Sequence, residues 1–484
     1  MTKKIKRSDS EHAAKNKKKQ IKISSLRNLK KIRENVAGID VGAEFHYVAA
    51  PDPKHDGKII VNRFGSFTAN IQECVDWLKQ CGIASAAMEA TGVYWTILHA
   101  MLVSAGIEVT LVNPHDFKKI KDKKTDVCDA EYLQMYHSYG LLEGAVIPEQ
   151  KVEELRTYTR TRDTTIAEVA KSAQRMQKAL INMNLRLDNV LSETTGVSGM
   201  AIIHAILSGE RDPKKLAQLR DKRCKKSIEE IEDSLRGHYR EDHLFALKKA
   251  VREYTFHASE VRTCDEAILA KLKEFESHAN HKEEDSNIFS HKGRFSKKVH
   301  KSHEFSFDLE RELYRITGVH LTKLPGIGPS TALMLISETG LNMKLWESEK
   351  HFTSWLGVAP NNKVSGGRVL YRGTKRKKKK AAIRLRMAVS GLYREVNDTA
   401  IGAFFRRKRA QIGAPKAITA AANKIARRYY HMLLTGEDFE EPGAQAYYEM
   451  QKEKYLKRIR KHVSKWGYKV VKEEKSKDTP TIAA

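Results

Sequence analysis

The sequence predicts an α/β domain followed by a long, mainly helical region. Between Val36 and Asn113, short apolar runs alternate with turn residues and with two amphipathic helical segments. From about Lys151 to Leu191 the pattern is helical, polar and long, as in a coiled coil or helical hairpin. No apolar stretch reaches the roughly twenty residues that a membrane-spanning helix needs. These observations predict an α/β plus α architecture with no membrane partner.

The α/β domain is predicted from the order of its elements. Three β-rich runs come first (VAGID, FHYVAA and KIIVNRF), which is typical of a meander. A helix in IQECVDWLKQC, a strand in IASAAME, a helix in GVYWTILHAMLVSAG and a strand in IEVTLVN follow. A last helix is expected from about Asp126 to Tyr139. Three strands followed by alternating helix and strand is the order of a ribonuclease H-like domain.

Composition divides the chain into five parts. We predict a disordered basic arm at 1–34, the α/β domain at 35–147, a helical or coiled-coil arm with a flexible connector at 148–309, a second compact domain at 310–438, and a charged tail at 439–484. The connector is rich in histidine, but its spacing fits no common zinc pattern and no cysteine is near. No zinc site is therefore expected there.

The charge of the chain indicates a polyanionic partner. The formal net charge is +28 and the isoelectric point is about 9.7. The basic N-terminus lacks the apolar core of a signal peptide, and the five cysteines are scattered without a CxxC pair. Reduced thiols and no secretion signal predict an intracellular protein, and nucleic acid is the expected partner.

Four acidic residues are the candidate metal ligands. Asp40 and Glu89 each end an apolar run, and Asp126 and Asp129 lie one helical turn apart in KKTDVCDAEYL. Carboxylates suit hard divalent cations, and such ions can clamp the attacking and leaving oxygens of a phosphodiester. Taken singly, each acid is better explained as a turn residue, a cap or a solvated helix face; taken together, they favour a metal site. The Thr91–Gly92 pair predicts a tight turn that exposes the Glu89 carboxylate.

The motif LPGIGPSTALMLISETG begins the second domain and resembles a helix-hairpin-helix. Gly326 and Gly328 predict a tight hairpin whose amides can bind a DNA phosphate without reading sequence. A plain turn of the core is the alternative, since PGxG turns are widespread. The charge of the chain favours binding of the DNA backbone.

A serine followed by two glycines lies in the basic segment VSGGRVLYRGTKRKKKK. The glycines would allow a phosphate to approach Ser365 closely, and nearby basic groups can offset the charge that develops when a hydroxyl attacks phosphorus. The candidate DNA-binding residues are Arg368, Arg372, Lys375 and Arg376. From these residues alone, a flexible turn beside a solvated basic patch is the commoner explanation.

The chain resembles the DEDD-type transposases of bacterial insertion sequences, a family described as bridge-RNA-guided serine recombinases. In the first domain, the resemblance rests on GIDVG, MEATGVYW and KTDVCDAEYL, which contain the four acids. In the second, it rests on LPGIGPSTALMLISETG, on F-x-S-x-x-G-V-A-P at Phe352–Pro360, on SGG and on AANKIARRYY. It covers most of residues 35–435, with Val364 where the family often has a second serine.

The resemblance implies a RuvC-like fold in which Asp40, Glu89, Asp126 and Asp129 bind Mg²⁺, with Mn²⁺ as an alternative. It implies that Ser365 is the nucleophile and forms a transient covalent link to a DNA end. The implied partners are donor and target DNA, an element-encoded structured guide RNA that selects both by base pairing, and further copies of the chain in a dimer or tetramer. The implied location is the bacterial cytoplasm, in association with the nucleoid.

The sequence is also compatible with two other functions. A metal-dependent, structure-selective endonuclease of RuvC-like fold would use the same acids and an activated water, without a covalent intermediate. A non-catalytic nucleic-acid-binding protein would need only the hairpin motif and the basic segments. The four acids in register make the second alternative the weaker one.

Overall fold

A computed structural model describes residues 30–55, 57–113, 126–279, 304–371, 373, 379–393 and 398–471. The chain divides into two compact units, one up to Ile147 and the other from Pro148 onward. Residues 1–29 of the predicted basic arm (1–34) and most of the histidine-rich connector lie outside the described residues. No helix in the described ranges is both long and apolar enough to cross a membrane.

The first unit is built on a five-stranded mixed sheet. Its strands are β1 (Val36–Val41), β2 (Phe45–Pro51), β3 (Ile59–Gly65), β4 (Ser85–Glu89) and β5 (Glu108–Val112). Their spatial order is β3-β2-β1-β4-β5. The meander β1–β3 is antiparallel, whereas β4 pairs parallel with both β1 and β5. The predicted α/β sheet is confirmed.

Helices cover both faces of this sheet. They are α1 (Thr68–Gln80), α2 (Trp95–Ser104) and α3 (Asp126–Ser138). Ile39 and Met88 pack on one face with Leu78 of α1 and Leu98 of α2. The other face of β4 packs on α3, where Leu133 and its neighbours form a separate apolar cluster. Strands buried on both faces explain why β1 and β4 read as nearly continuous apolar runs.

The second unit begins with two long helices that pack along each other. These are α4 (Gln150–Asn182) and α9 (Glu241–Lys273), each of 33 residues. Between them come α5 (Leu187–Val190), α6 (Val197–Leu207), α7 (Pro213–Gln218) and α8 (Ile228–Ser234), which share one apolar core with α4 and α9. A buried ion pair between Arg162 of α4 and Asp265 of α9 joins the long helices.

The rest of the second unit is helical apart from one hairpin. Its helices are α10 (Leu309–Thr317), α11 (Pro329–Thr339), α12 (Glu349–Leu356), α13 (Lys380–Gly391), α14 (Ala400–Ile412), α15 (Ala414–Thr435) and α16 (Gly443–Ser464). Two 3₁₀ turns, Leu321–Lys323 and Met343–Leu345, join some of them. Strands β6 (Lys363–Ser365) and β7 (Arg368–Tyr371) form the hairpin. The mainly helical prediction is confirmed, and the hairpin is an addition to it.

Candidate active site

Asp40 and Glu89 occupy neighbouring positions at one edge of the first sheet. Parallel pairing of β1 with β4 aligns Gly38 with Ala87 and Ile39 with Met88. Asp40 and Glu89 are the next residues in this register. Side chains along a strand point alternately to opposite faces, so residues one step beyond an aligned pair share a face. Both carboxylates therefore leave the sheet on the same side at adjacent strand ends.

Helix α3 covers the face of the sheet to which these two carboxylates belong. A Cβ atom at Gly38 would lie 2.1 Å from the backbone nitrogen of Gln134 and 2.2 Å from the carbonyl oxygen of Ala130. Only glycine lets the helix come this close to β1. Asp40 is two residues beyond Gly38, so it faces the same helix.

The direction of α3 carries its first turn toward the two strand ends. Ser85, at the start of β4, is hydrogen-bonded to His137, in the last turn of α3, at 2.9 Å. From there, four strand residues to Glu89 span about 13 Å, and eight helical residues back to Asp129 span about 12 Å. Because α3 and β4 run alongside each other in opposite directions, Asp129 lies level with Glu89. The same arrangement brings the first residue of α3, Asp126, to the same end; the side chain of Asp126 lies outside the described residues.

The Glu89 carboxylate is buried, with 6% of its residue exposed. Thr91 donates a hydrogen bond from Oγ1 to Oε1 of Glu89 at 3.1 Å, and Gly92 supplies the left-handed φ of +57° that the turn requires. The turn was predicted, but the expected exposure of the carboxylate was wrong, because the turn folds Thr91 back over the acid. Asp129 is similarly buried at 7% exposure, and Asp40 is half-buried.

A buried polar contact fixes the far end of α3. Arg33 donates to Nδ1 of His137 at 3.2 Å, so the proton of the neutral ring is on Nε2, which donates to Ser85. Burial, together with the nearby Arg33 guanidinium, lowers the pKa of His137 to about 4. A neutral His137 thus holds α3 in its register on β4 at ordinary pH.

The acids have the donor chemistry of a magnesium site. All four candidates are carboxylates, which are the oxygen ligands that hard divalent cations take. Among the described side chains, however, no three from histidine, cysteine, aspartate and glutamate lie close enough together to hold a metal ion. Asp40, Glu89 and Asp129, the three predicted ligands with described side chains, are therefore not grouped at ligand distance in this structure, and the side chain of Asp126 lies outside the described residues.

Ser365 lies at the tip of the hairpin in the second unit. It pairs with Arg368 across a two-residue loop in which Gly366 and Gly367 have φ of +53° and +73°. Positive φ at both loop positions defines a type I′ turn, which matches the twist of the strands that it joins. Ser365 and Arg368 are both exposed. The sequence predicted a flexible turn or a nucleophile loop, and the backbone is a defined tight turn with an arginine opposite the serine.

Few of the predicted DNA-binding residues around the hairpin can be placed. Arg372, Lys375 and Arg376 lie outside the described residues. Lys379, just beyond them, places its Nζ 3.0 Å from the centroid of the Trp355 ring. The end of the basic segment, at Lys379, therefore packs on Trp355 of α12, immediately before α13 begins.

The LPGIG segment forms a tight turn with a packing role. Leu324 accepts a hydrogen bond from the amide of Ile327 at 3.0 Å, and Gly326 has a φ of +78°. A Cβ at Gly326 would lie 2.7 Å from the carbonyl oxygen of Ala388 on α13, so glycine is needed for close packing. A Cβ at Gly328 meets nothing within 4 Å. The predicted phosphate-binding role of Gly326 and Gly328 stays a prediction.

A carboxylate lies near the LPGIG turn. Glu441 lines the same small pocket as the two glycines and accepts hydrogen bonds from the amides of Ala400 and Gly443. A fixed negative charge at this position opposes phosphate binding. The core-turn explanation of the motif therefore gains weight from the structure.

Long helix α4 holds the far end of α11. Arg160 makes two parallel hydrogen bonds to the carboxylate of Glu338, at 2.8 and 2.9 Å. Arg156 donates to the carbonyl oxygens of Ser337 and Glu338. Cations at the carboxyl end of a helix satisfy its free carbonyls and its dipole. Sequence reasoning missed these contacts, although the arginines stand four residues apart in RTYTR.

Two supporting features of the first unit were also missed from sequence. Gly38 was visible only as the glycine inside VAGID, where its close approach to α3 could have been suspected. Ser85 and His137 lie 52 residues apart and carry no local pattern. Both features act through the backbone of α3, and so they position the acids without touching a substrate.

Two family models match this chain. One, for DEDD-type transposases of the IS110 group, matches residues 37–184 and so includes the four acids. The other, described as the transposase IS116/IS110/IS902 family, matches residues 319–392, with the LPGIG turn and the Ser365 hairpin. A comparison with curated proteins gives no match. The molecule is thus a transposase, an enzyme that acts on DNA.

Both matches come from one group of mobile-element enzymes and follow each other in the expected order. The chain belongs to the IS110 family of DEDD-type transposases. Helices α14, α15 and α16 lie beyond the end of the second match.

Proposed function

We propose that this transposase cuts and rejoins DNA through a covalent serine–DNA intermediate, with Ser365 as nucleophile and the four acids as ligands of a divalent cation. The main support for the proposal is the register in which β1 pairs with β4 at the edge of the sheet. It sets Asp40 and Glu89 on adjacent strand ends, with the first turn of α3 running toward them. The strand order β3-β2-β1-β4-β5 supports a ribonuclease H-like fold for this unit.

Asp40, Glu89, Asp126 and Asp129 would hold the metal, and the ion would be Mg²⁺ or Mn²⁺ because the donor set is all carboxylate. A bound divalent cation supplies charge stabilisation at a phosphoryl oxygen. The protein residues contribute position. Thr91 fixes one oxygen of Glu89, and the close contact at Gly38 sets the height of α3 above β1.

The chemical step proposed for Ser365 conserves the phosphodiester. Its Oγ would form a bond to phosphorus while the bond from phosphorus to one nucleotide oxygen breaks, which releases a strand with a free hydroxyl. A hydroxyl of a second strand then attacks the same phosphorus and releases Ser365. Arg368, its partner across the turn, is exposed and can contact a phosphate oxygen. No external energy source is needed.

Guide RNA and subunit assembly form the remaining part of the proposal. The family resemblance suggests an element-encoded RNA that selects donor and target DNA, and the net charge of +28 permits it. The long helix α9 exposes Phe245 and Phe256, 72% and 60% accessible, which supports contacts with further copies of the chain in a dimer or tetramer.

The covalent intermediate is the part that can be tested most directly. End-labelled supercoiled donor and target are incubated with the protein, its guide RNA and Mg²⁺, and the reaction is stopped with denaturant. The wild-type chain should retain label on denatured protein, and Ser365→Ala should retain none. Ser365→Cys keeps a nucleophile of similar shape and should restore some covalent product.

The same assay tests the rival endonuclease function. An enzyme that uses activated water cuts DNA without retaining label, and its cutting would survive Ser365→Ala. Cutting by the alanine variant at the wild-type rate would therefore replace the serine mechanism with the endonuclease. A chain that binds DNA but neither cuts nor retains it, with any metal, would contradict both enzymatic proposals.

A further inference from the structure

Four cations converge where α14, α15 and α16 meet, outside both family matches. They are Arg407 of α14, Lys424 and Arg428 of α15, and Lys454 of α16. Burial lowers the pKa of Lys424, and the charges of Arg428, Lys454 and Arg407 lower it further. Four positive charges from three helices thus repel one another within one small region.

Aromatic rings, not carboxylates, contact three of these four cations. The Nζ of Lys424 is 4.7 Å from the centroid of the Phe404 ring, and the guanidinium carbon of Arg407 is 5.6 Å from that of Tyr447. Arg428 lies 5.8 Å from the Phe439 ring. Cation–π contacts orient a positive charge without neutralising it.

None of the four cations has an ion-pair partner among the described residues, within 4.0 Å. The neighbouring residue Arg427 provides the contrast, because it pairs with Glu349, which also binds His431 at 2.7 Å. In addition, the Nε atom of Arg407 is buried and makes no hydrogen bond. The four charges consequently remain available to an anion.

An open cleft of about 1120 Å³ reaches two of the four cations. Lys424, Arg428 and Tyr447 line it. Four carboxylates also line it: Glu349 is paired with Arg427 and Asp438 with His320 and Lys323, whereas neither Glu437 nor Glu440 lies within 4.0 Å of the four cations. The cleft is large for a small anion and suits an extended polyanion.

Helix α16 continues from the cleft with an exposed basic and aromatic surface. Within the helix, only Ala444 and Tyr447 are buried, both in its first two turns. Tyr448 and Tyr455 of the helix, and Trp466 two residues beyond its end, are 46%, 56% and 66% exposed. From residue 443 to 471 the chain has eight lysines and arginines against two glutamates. Exposed rings interleaved with cations are the surface on which unpaired bases stack.

We propose that the cleft and the exposed face of α16 bind a single-stranded segment of nucleic acid. Its phosphates would contact Arg407, Lys424, Arg428 and Lys454, and its bases would stack on the exposed rings of α16. The inference rests on the proposed function only in that a DNA-processing chain encounters such strands. RNA and DNA present the same phosphates and bases, so the strand's source is decided by experiment.

The test measures binding by the full-length chain without strand exchange. Labelled single-stranded RNA, single-stranded DNA and a DNA duplex, each of about 20 nucleotides, are titrated in a fluorescence anisotropy assay at several salt concentrations. The triple variant Arg407→Gln, Lys424→Gln, Arg428→Gln is compared with a control that removes three exposed cations elsewhere, Lys344→Gln, Lys350→Gln, Lys416→Gln. Both variants lose the same net charge.

We expect the cleft variant to bind the preferred single strand about 10-fold more weakly than the control variant does, with a salt dependence reduced by about 2 in log–log slope. The strand, RNA or DNA, that shows the larger loss is the ligand. Equal losses in the two variants would overturn the proposal, and so would an equal loss on the duplex. Lys454→Gln, on an exposed side chain, provides the same comparison if the triple variant fails to fold.

Stacking is tested separately by Tyr455→Ala with Trp466→Ala. These changes should weaken single-strand binding and leave duplex binding unchanged. If single-strand binding stays intact and sedimentation instead shows that a dimer dissociates, the rings contact a second copy of the chain and the stacking proposal is overturned. The binding assay requires neither strand exchange nor a covalent intermediate. Failure of the covalent-trapping experiment would thus leave this inference standing, and the reverse also holds.

Discussion

The acid-bearing sheet edge and the serine hairpin hold their candidate groups in opposite ways. Glu89 and Asp129 are buried, and long-range pairing between strands and a helix positions them. Ser365 is exposed and is positioned by two glycines beside it. One group depends on the whole first unit, whereas the other depends on four consecutive residues.

This difference separates two physical requirements. Clustered carboxylates repel one another, so a rigid surrounding must hold them until a cation offsets their charge. A nucleophile must instead reach a phosphorus atom within a large polymer, which favours a protruding, accessible turn. Substitutions at the sheet edge should therefore affect folding and chemistry together, whereas those at the hairpin should affect chemistry alone.

The largest expected effect comes from removing the charge of one buried acid. Glu89→Gln keeps the hydrogen bond from Thr91 but removes a ligand, and we expect strand cleavage to fall about 10³-fold, equivalent to about 4 kcal/mol. The measurement is the single-turnover rate with saturating Mg²⁺. Glu108→Gln, at the opposite end of β5, is the matched control and should cleave normally. Normal cleavage by Glu89→Gln would remove Glu89 from the site.

A methyl group at Gly38 should break the sheet edge without touching an acid. Gly38→Ala puts a Cβ within 2.2 Å of α3 backbone atoms, and we expect the first unit to lose about 3 kcal/mol or more as the helix is displaced. Urea unfolding and hydrogen exchange in β1 measure the loss. Gly144→Ala, whose Cβ would lie 3.4 Å from a threonine methyl, should cost far less. Equal stability of the two variants would contradict the close approach of α3.

Acid should loosen the first unit through His137. Its pKa is about 4 when folded and near 6.5 when unfolded, so the unfolded chain takes up the proton first as the pH falls. The stability from a neutral His137 is complete above pH 6.5 and is lost between 6.5 and 4, to a total of about 3 kcal/mol. Hydrogen exchange of α3 and β4 across this range is the measurement.

His137→Gln provides the control for this pH dependence. Glutamine can accept from Arg33 and donate to Ser85, so it should fold and flatten the decline below pH 6.5. His46 and His99, whose pKa values burial also lowers, act in the same direction and leave a smaller residual slope. An unchanged slope in the glutamine variant would assign the effect to those two residues.

The smallest effect is expected at the hairpin turn. Gly367→Ala forces a residue with a side chain to a φ of +73°, at a cost of about 1 kcal/mol confined to the hairpin, since nothing lies within 4 Å of the added methyl. Global unfolding should not change, while covalent trapping should slow severalfold. Gly391→Ala, at the end of α13, is the control and should trap at the normal rate. A global loss of stability would contradict the independence of the hairpin.

The sequence predicted the first sheet well because its signals are local. Apolar runs define β1 and β4, and Asp40 and Glu89 end those runs, so strand pairing alone brings them to one edge. The burial of Glu89 was not predictable, because it depends on the return of Thr91 over the carboxylate. The contact between Ser85 and His137 was equally hidden, since no pattern links residues so far apart.

In the second unit, charge signals were visible but their arrangement was not. The SGG segment predicted a turn. The two short strands that pair Ser365 with Arg368 were not predicted, because the basic residues around them hide the pattern by which a strand is recognised. The cations of the cleft are spread over three helices, and each has the appearance of an ordinary exposed lysine or arginine in sequence. Only packing reveals that rings contact three of them and that none is paired with a carboxylate among the described residues.

The parallel pairing of β1 with β4 also governs when this chain acquires its acids during folding. β2, β3 and α1 lie between β1 and β4 in the chain, so the pairing of β4 with β1 is non-local, and such pairing is slow compared with closure of a two-residue hairpin, which takes microseconds. When a fully unfolded chain refolds, we therefore expect the serine turn to form before the sheet edge that carries the carboxylates.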